Sequence, residues 1–233
     1  MVVLSIVVPT YNEKGNVLPL AEGIASAFSD IDYEIVFVDD NSPDGTAGAI
    51  CSLPDFGKKI KLIPRAGKLG LASAVRDGAE SASGEWILVM DGDLSHPPET
   101  ARKMFSERGD ADLVVASRNV AGGGKSKEWN ASRDAISKSA EAMCRPFVAK
   151  RTSDPLSGFF LVKKEIIVRT RVRVKGYKIL LNLIYDNPTI SIKDIPYIFM
   201  ARFSGKTKLD VAEIANYVFD LGRLVFWRKT ASK

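Results

Sequence analysis

The chain alternates short, almost wholly apolar runs with longer stretches whose apolar residues recur every three or four positions. Runs of the first kind read as strands buried on both faces, and stretches of the second kind as the helices that cover them. Ser5–Pro9 is the first strand and is expected to break at Pro9. Asn16–Phe28 carries Val17, Leu20, Ile24 and Phe28 at helical spacing. Tyr33–Val38 is a second buried strand that runs into Asp39-Asp40. A turn rich in Asn, Ser, Pro and Gly then leads to a short helix, Thr46–Leu53. Ile60–Ile63, Trp86–Met90 and Leu113–Ser117 continue the series of strands. Between them lie the small-residue helix Leu71–Ala82 and a helix opened by Pro97-Pro98-Glu99, proline being tolerated in a first helical turn.

This rhythm predicts an α/β fold, a mostly parallel sheet with helices on both faces. Its strands end at Pro9, Asp39-Asp40, Asp91 and Arg118. Ligands of open α/β sheets bind beyond the carboxyl ends of the strands, so one edge of the sheet should gather the site. After Arg118 the pattern changes. Ala121-Gly122-Gly123-Gly124-Lys125 reads as a loop, and Trp129–Val148 as a helix with Ile136, Ala140, Met143 and Phe147 on one stripe. Leu161–Asn187 mixes a short strand with basic helices, and Thr189–Phe199 is strand material interrupted by Pro196. With no internal repeat and no long linker, residues 1–209 are expected to form one domain. Residues 210–233 are expected to add an amphipathic helix.

Hydrophobic residues make up 45% of the 233 and charged residues 26%, which excludes a disordered, collagenous or coiled-coil chain. No apolar run approaches the ~20 residues that span a bilayer, and Met1–Pro9 reads as a strand rather than a targeting segment. Cys51 and Cys144 are far apart and are expected to be buried thiols of a reducing compartment. With His96 the sole histidine and no CxxC, a structural zinc site is not expected. The net charge of +5 is unevenly spread: residues 1–112 hold 10 Lys+Arg against 18 Asp+Glu, residues 113–233 hold 23 against 10. An acidic half suits a metal ion, and a basic half suits phosphates, anionic lipid or nucleic acid. No RRM, KH or helix-turn-helix signature is present, so nucleic acid is not the expected partner.

Three strand ends carry candidate chemistry. Asp91-Gly92-Asp93 places two carboxylates one residue apart past a buried strand, where a cation would neutralise them. Oxygen ligands of this kind suit Mg²⁺ or Mn²⁺; the alternative is that both residues cap the helix near Pro97. In Pro9-Thr10-Tyr11-Asn12-Glu13, Tyr11 can stack on a nucleobase and Glu13 can accept hydrogen bonds, unless the segment is only a strand-to-helix turn. Asp39-Asp40 at a strand end matches the acidic residue that holds a ribose or base edge in dinucleotide folds. Gly67-Lys68-Leu69-Gly70 lacks phosphate-loop spacing and reads as a helix-opening turn. His96, ahead of two prolines, reads as support for the carboxylate loop or as a helix cap.

Taken in order, PTYNE, VDDNSPDGT, KLGLASA, MDGDLSHPPE, ASRN, SDPLSGFF and RFSGKTKL resemble the dolichyl-phosphate (polyprenyl-phosphate) mannosyltransferases of glycosyltransferase family 2, from about Ser5 to Leu209. The resemblance implies a GT-A type, Rossmann-like catalytic domain that transfers mannose from GDP-mannose to dolichyl or polyprenyl phosphate with inversion. It implies that Pro9, Tyr11, Glu13, Val38 and Asp40 line the nucleoside pocket. Asp91, Gly92 and Asp93 would contact the donor, with Asp91, Asp93 and Ser95 holding Mg²⁺ or Mn²⁺. Arg118 would face the reacting phosphates, Arg133 and Ser137 the acceptor phosphate, and Arg202 and Lys208 the diphosphate. The chain departs from many relatives at Ala201, at Gly205-Lys206-Thr207-Lys208 and at Asn182. A glucosyl- or aminosugar transferase of the same branch, or a non-catalytic sugar-nucleotide-binding subunit, are the competing readings.

A lipid acceptor implies a membrane surface as partner, with a membrane-anchoring subunit as a further one. Val211, Ile214, Ala215, Val218, Phe219, Val225 and Phe226 would share one helical face, with Arg223, Arg228 and Lys229 at headgroups. That places the expected protein peripherally, on the cytoplasmic face of a membrane.

Overall fold

A computed structural model describes residues 2–126, 143–144, 148, 151–171 and 179–200. Its described strands are β1 (Leu4–Thr10), β2 (Tyr33–Asp39), β3 (Ile60–Pro64), β4 (Trp86–Val89), β5 (Leu113–Ser117), β6 (Gly124–Lys125), β7 (Phe160–Lys163), β8 (Ile192–Pro196) and β9 (Ile198–Phe199). The described helices are α1 (Val17–Ala27), α2 (Thr46–Cys51), α3 (Leu71–Ser81), α4 (Pro98–Ser106), α5 (Lys164–Arg169) and α6 (Ile179–Asp186). The main sheet has seven strands in the order β3-β2-β1-β4-β7-β5-β8, and β6 pairs with β9 in a small second sheet.

The predicted parallel character holds for every pair of the main sheet except those of β7, which runs antiparallel to both β4 and β5. β7 therefore begins, at Phe160, beside the carboxyl ends of its neighbours, opposite Val89 and Val115. The loop before it, Ser153 to Phe159, is thereby delivered to the same edge as the loops that follow β1, β2, β4 and β5.

Apolar side chains cover both faces of the sheet, which is why its central strands read as unbroken apolar runs. On one face Val7, Val36, Val38, Val89 and Val115 meet α3, α5 and α6. On the other, Leu4, Ile6, Val8, Phe37 and Leu88 meet α1, α2 and α4. Gly78 lets α3 approach closely: a Cβ there would lie 2.5 Å from Val7 Cγ1 and 3.1 Å from Val38 Cγ2.

Several boundaries differ from the sequence reading for visible reasons. β1 does not break at Pro9 but continues to Thr10, pairing Pro9 with Val38. Odd residues of β1 turn their peptide groups towards β4, as the Met90 N–H to Val7 O bond shows, and that ladder ends at Val7↔Val89. The missing N–H of Pro9 thus costs no ladder bond. The region expected to hold basic helices contains α5, which is charged, and α6, whose sequence ILLNLIYD has no basic residue and is almost wholly buried. Cys144 is buried as expected, but Cys51, at the end of α2, is exposed. Residues 210–233, with their expected amphipathic helix, and the boundary at 209 lie outside the described residues.

Candidate active site

The loops that follow β1 to β5 and the loop that leads into β7 meet at the carboxyl edge of the sheet. The β1–α1 loop is fastened to the β2–α2 loop by three backbone donations: Asn12 N–H to Ser42 Oγ (3.0 Å), Glu13 N–H to Thr46 Oγ1 (2.9 Å) and Lys14 N–H to Asp44 Oδ2 (3.1 Å). Asp39 is spent on this architecture. It accepts from Thr10 Oγ1 at 3.0 Å and from the Ser42 hydroxyl and N–H. Asp40, its neighbour, is not. Its Oδ1 is buried without a hydrogen-bond partner, although Arg65 Nη1 lies 3.0 Å away. The two atoms form a charge contact whose N–H direction misses the oxygen. Burial pushes the Asp40 carboxyl above the usual carboxylate range, while the Arg65 charge and the N–H groups of Leu69 and Gly70 pull the other way.

Arg65, which sequence reading passed over, is itself buried and holds the β3–α3 turn together through Ser73 Oγ (2.6 Å) and Gly70 O (3.3 Å). Gly70, at φ 99°, opens α3, so the Gly-Lys-Leu-Gly segment is the helix-opening turn its spacing predicted. Lys68 Nζ stands 5.4 Å from the centre of the Tyr11 ring. Tyr11, Glu13, Asp40 and Lys68 therefore lie on loops at one end of the sheet, the expected nucleoside side, whereas the Val38 side chain is fully buried against α3. Pro9 and Val38 are opposite each other in the β1–β2 ladder.

Across β1 lies the Asp91-Gly92-Asp93 loop. Gly92 faces Thr10, Val8 and Glu13, since a Cβ there would meet all three between 3.4 and 3.6 Å. Leu94 takes a left-handed φ of 62°, which folds the loop back on itself. Ser95 then gives its N–H (3.1 Å) and hydroxyl (2.5 Å) to Asp93 Oδ1. The hydroxyl expected to join a metal set is thus committed to orienting Asp93. Asp91 is half-exposed and Asp93 is 5% exposed. The helix-capping alternative fails, because α4 starts at Pro97 and Pro98 without any side-chain cap bond.

His96 likewise caps nothing. It is 1% exposed, and its Nδ1 accepts the Asp91 N–H at 2.9 Å, which puts the ring proton on Nε2, 3.7 Å from Asp91 Oδ2. Its ring stacks on Phe159 at 4.6 Å, with Tyr197 and Phe199 edge-on. Gly158, next to Phe159, backs the same carboxylate: a Cβ there would lie 3.6 Å from His96 and 3.7 Å from Asp91 Oδ1.

Asp91 and Asp93 fit a hard divalent cation. They offer carboxylate oxygens, one of them already oriented, at a half-open position. Among the described residues no cluster of three or more His, Cys, Asp or Glu side chains exists. Mg²⁺ and Mn²⁺ sites commonly use one or two carboxylates and draw their other ligands from substrate phosphates and water.

Arg118 departs from expectation. Its guanidinium makes a two-point contact with Asp154, Nε to Oδ2 at 2.7 Å and Nη2 to Oδ1 at 2.8 Å, and its own N–H adds a third bond at 3.1 Å. Asp154 is fully buried. The fork assigned to a phosphate is spent on a carboxylate that the sequence reading never singled out, although it sits in the quoted SDPLSGFF segment. Pairing across 36 residues carries no local signal. Arg133, Ser137, Arg202 and Lys208 lie outside the described residues.

β9 closes the arrangement from the side. The N–H of Met200 donates to Ser95 O at 3.1 Å, and β6 holds β9 through Gly124 N–H to Tyr197 O and Ser126 N–H to Phe199 O. Burial drives the Tyr197 hydroxyl strongly upward, so it stays protonated.

Residues 5–170 match the family model described as Glycosyl transferase family 2. A dolichol-phosphate mannosyltransferase of Saccharomyces cerevisiae is 34% identical over 235 residues, covering 96% of this chain and 87% of that protein. One of Pyrococcus furiosus is 36% identical over 227 residues, covering 96% of this chain and 64% of that protein. Among solved structures, the glucosyl-3-phosphoglycerate synthase of Mycobacterium tuberculosis with phosphoglyceric acid superposes with a TM-score of 0.67 over 94% of this chain and 80% of its own, at 17% identity. At that identity the likeness establishes a shared GT-A-like fold. The same synthase is also solved with Mn²⁺ and uridine-diphosphate-glucose.

Proposed function

The chain belongs to glycosyltransferase family 2, and from that premise we propose that it transfers mannose from GDP-mannose to dolichyl or another polyprenyl phosphate. The observation that carries this reading is the match to proteins named dolichol-phosphate mannosyltransferase, which spans 96% of the chain at 34–36% identity. The geometry at the Asp40 and Asp91-Gly92-Asp93 loops agrees with it. Asp40, whose Oδ1 makes a charge contact with Arg65 but no hydrogen bond, would accept from donors of a base or ribose, and the Tyr11 ring would offer a stacking surface. Asp91 and Asp93 follow β4, on the other side of β1 from β2, and would hold Mg²⁺ or Mn²⁺. The cation would offset the charge that develops on the departing diphosphate.

The acceptor phosphate needs no strong base, because it is already ionised near neutral pH. Its oxygen bonds to the anomeric carbon as the bond from that carbon to the diphosphate breaks, and GDP leaves with the electron pair. Attack from the far side converts an α-linked donor into a β-linked product. Arg133 and Ser137 are assigned to the acceptor phosphate and Arg202 and Lys208 to the diphosphate, while the Arg118 fork is held by Asp154. Positioning and electrostatics supply the acceleration. The acceptor's tail stays in lipid, so the protein would work peripherally at a cytoplasm-facing membrane surface, alone or with an anchoring subunit.

A thermal-shift panel of GDP, UDP and their sugars, each with and without Mn²⁺, tests nucleotide, sugar and metal together. GDP and GDP-mannose with Mn²⁺ should stabilise most, and Asp93→Ala should remove the metal-dependent part and abolish transfer to dolichyl phosphate. Preference for UDP-glucose or a UDP-aminosugar would move the reading to the related transferases. Full activity in excess EDTA would remove the metal.

A further inference from the structure

We propose that His96 is a positioning residue of the Asp91-Gly92-Asp93 loop, setting Asp91 for its cation and tying that loop to β9. The proposal rests on the reading of Asp91 and Asp93 as a metal-holding pair. Both nitrogens of this buried imidazole lie near Asp91. Nδ1 accepts the Asp91 N–H at 2.9 Å, and Nε2 stands 3.7 Å from the Asp91 carboxylate. The first contact is a hydrogen bond that fixes the main chain; the second is too long for one and acts as a dipole towards the charge.

The ring is itself located from two other segments. Phe159, ahead of β7, lies parallel to it at 4.6 Å with a 9° tilt, and Tyr197 and Phe199, from β8–β9, present edges at 5.9 and 5.8 Å. The Met200 N–H bond to Ser95 O ties β9 to the same loop by an independent contact. A shift of β9 therefore reaches Asp91 through one rigid ring. A side chain needed only to fill this space would require no nitrogen, and phenylalanine would serve. Positioning requires the acceptor at Nδ1. Groups that orient a metal's ligands commonly change metal affinity 10- to 100-fold when removed.

That difference sets the test. His96→Phe keeps the ring and loses both nitrogens. His96→Asn places an acceptor near the Nδ1 position without the ring, and His96→Gln reaches the Nε2 position without that acceptor. The full-length proteins are titrated with MnCl₂ at fixed GDP, following free Mn²⁺ by electron paramagnetic resonance and melting temperature in parallel. The Phe and Gln variants should need roughly ten-fold or more Mn²⁺ for half-saturation, as expected for a group that orients a metal ligand. The Asn variant should stay near the unsubstituted protein, and GDP binding in EDTA should be alike in all. A Phe variant with an unchanged Mn²⁺ midpoint overturns the proposal, as does an Asn variant displaced as far as Gln. If the Phe variant does not fold, the Asn–Gln contrast decides alone. An unsubstituted protein whose GDP binding ignores Mn²⁺ would overturn the metal reading and this proposal with it; equal midpoints in all variants would overturn only the proposal.

Discussion

Two buried carboxylates at the sheet edge behave oppositely because of what each is given to bind. Asp154 is saturated by Arg118, whose guanidinium and backbone N–H supply three bonds. Removing one member of such a buried pair typically costs about 3–5 kcal/mol, because the other charge is left unpaired. Asp154→Ala should therefore lower the melting temperature by on the order of 10 °C, read by calorimetry. A loss near zero would mean that Arg118 finds another partner. Asp40 instead has, at Oδ1, a charge contact with Arg65 and no hydrogen bond, and its carboxyl is pushed upward by burial. A folded-state pKa above the unfolded one means that the folded protein favours the proton, so stability falls as pH rises through the raised value. A ligand that donates to Oδ1 prefers the ionised form. GDP affinity should accordingly weaken as pH falls through that value. Asp40→Asn should bind more weakly throughout and lose that component of the pH profile, which calorimetric titration across the acid range would show.

At the scale of elements, the fit of helix on sheet turns on single methyl groups. In α3 a Cβ on Gly78 would stand 2.5 Å from Val7, a β-branched side chain on the central strand with little freedom to turn away. In α2 a Cβ on Gly48 would meet nothing within 4 Å. Alanine is worth up to about 1 kcal/mol over glycine in a helix interior. Gly48→Ala should therefore raise the unfolding free energy by roughly that amount. Gly78→Ala should lower it by about 1–3 kcal/mol, because overpacking outweighs the propensity gain. Urea denaturation of both variants distinguishes the two, and a stabilising Gly78→Ala would show that α3 can lift off the sheet at little cost. The antiparallel β7 matters for a different reason. Its direction brings Asp154, Gly158 and Phe159 to an edge otherwise built from the exits of parallel strands.

Across the whole molecule, charge is divided between the halves: 18 Asp+Glu against 10 Lys+Arg up to residue 112, and 23 Lys+Arg against 10 Asp+Glu beyond it. The acidic half contains the carboxylates of the candidate site, and the basic half contains the residues assigned to phosphates and lipid. Among the described residues no helix is long and apolar enough to cross a membrane. In the reading of a lipid-phosphate acceptor, the basic half docks at an anionic surface, each well-placed Lys or Arg contributing about 1 kcal/mol. Removing residues 211–233 should weaken co-sedimentation with anionic vesicles, and added salt should weaken binding of the full chain. Unchanged co-sedimentation, or loss of GDP binding on truncation, would assign that segment to packing against the domain.

The fold class was legible because burial on both faces writes itself into sequence as unbroken apolar runs, and β1, β2 and β5 fall within a residue or so of where those runs lie. Asp91-Gly92-Asp93 was legible because two carboxylates beside a buried strand demand an explanation even without coordinates. The family was legible from motif order. The direction of β7, the continuation of β1 through Pro9, the commitment of Arg118 to Asp154 and the enclosure of His96 by Phe159, Tyr197 and Phe199 were not. Each depends on which residues distant in the chain become neighbours, and hydrogen-bond capacity is shared out only then. A sequence states what donors and acceptors a segment owns; only the packed chain decides which of them remain for a ligand.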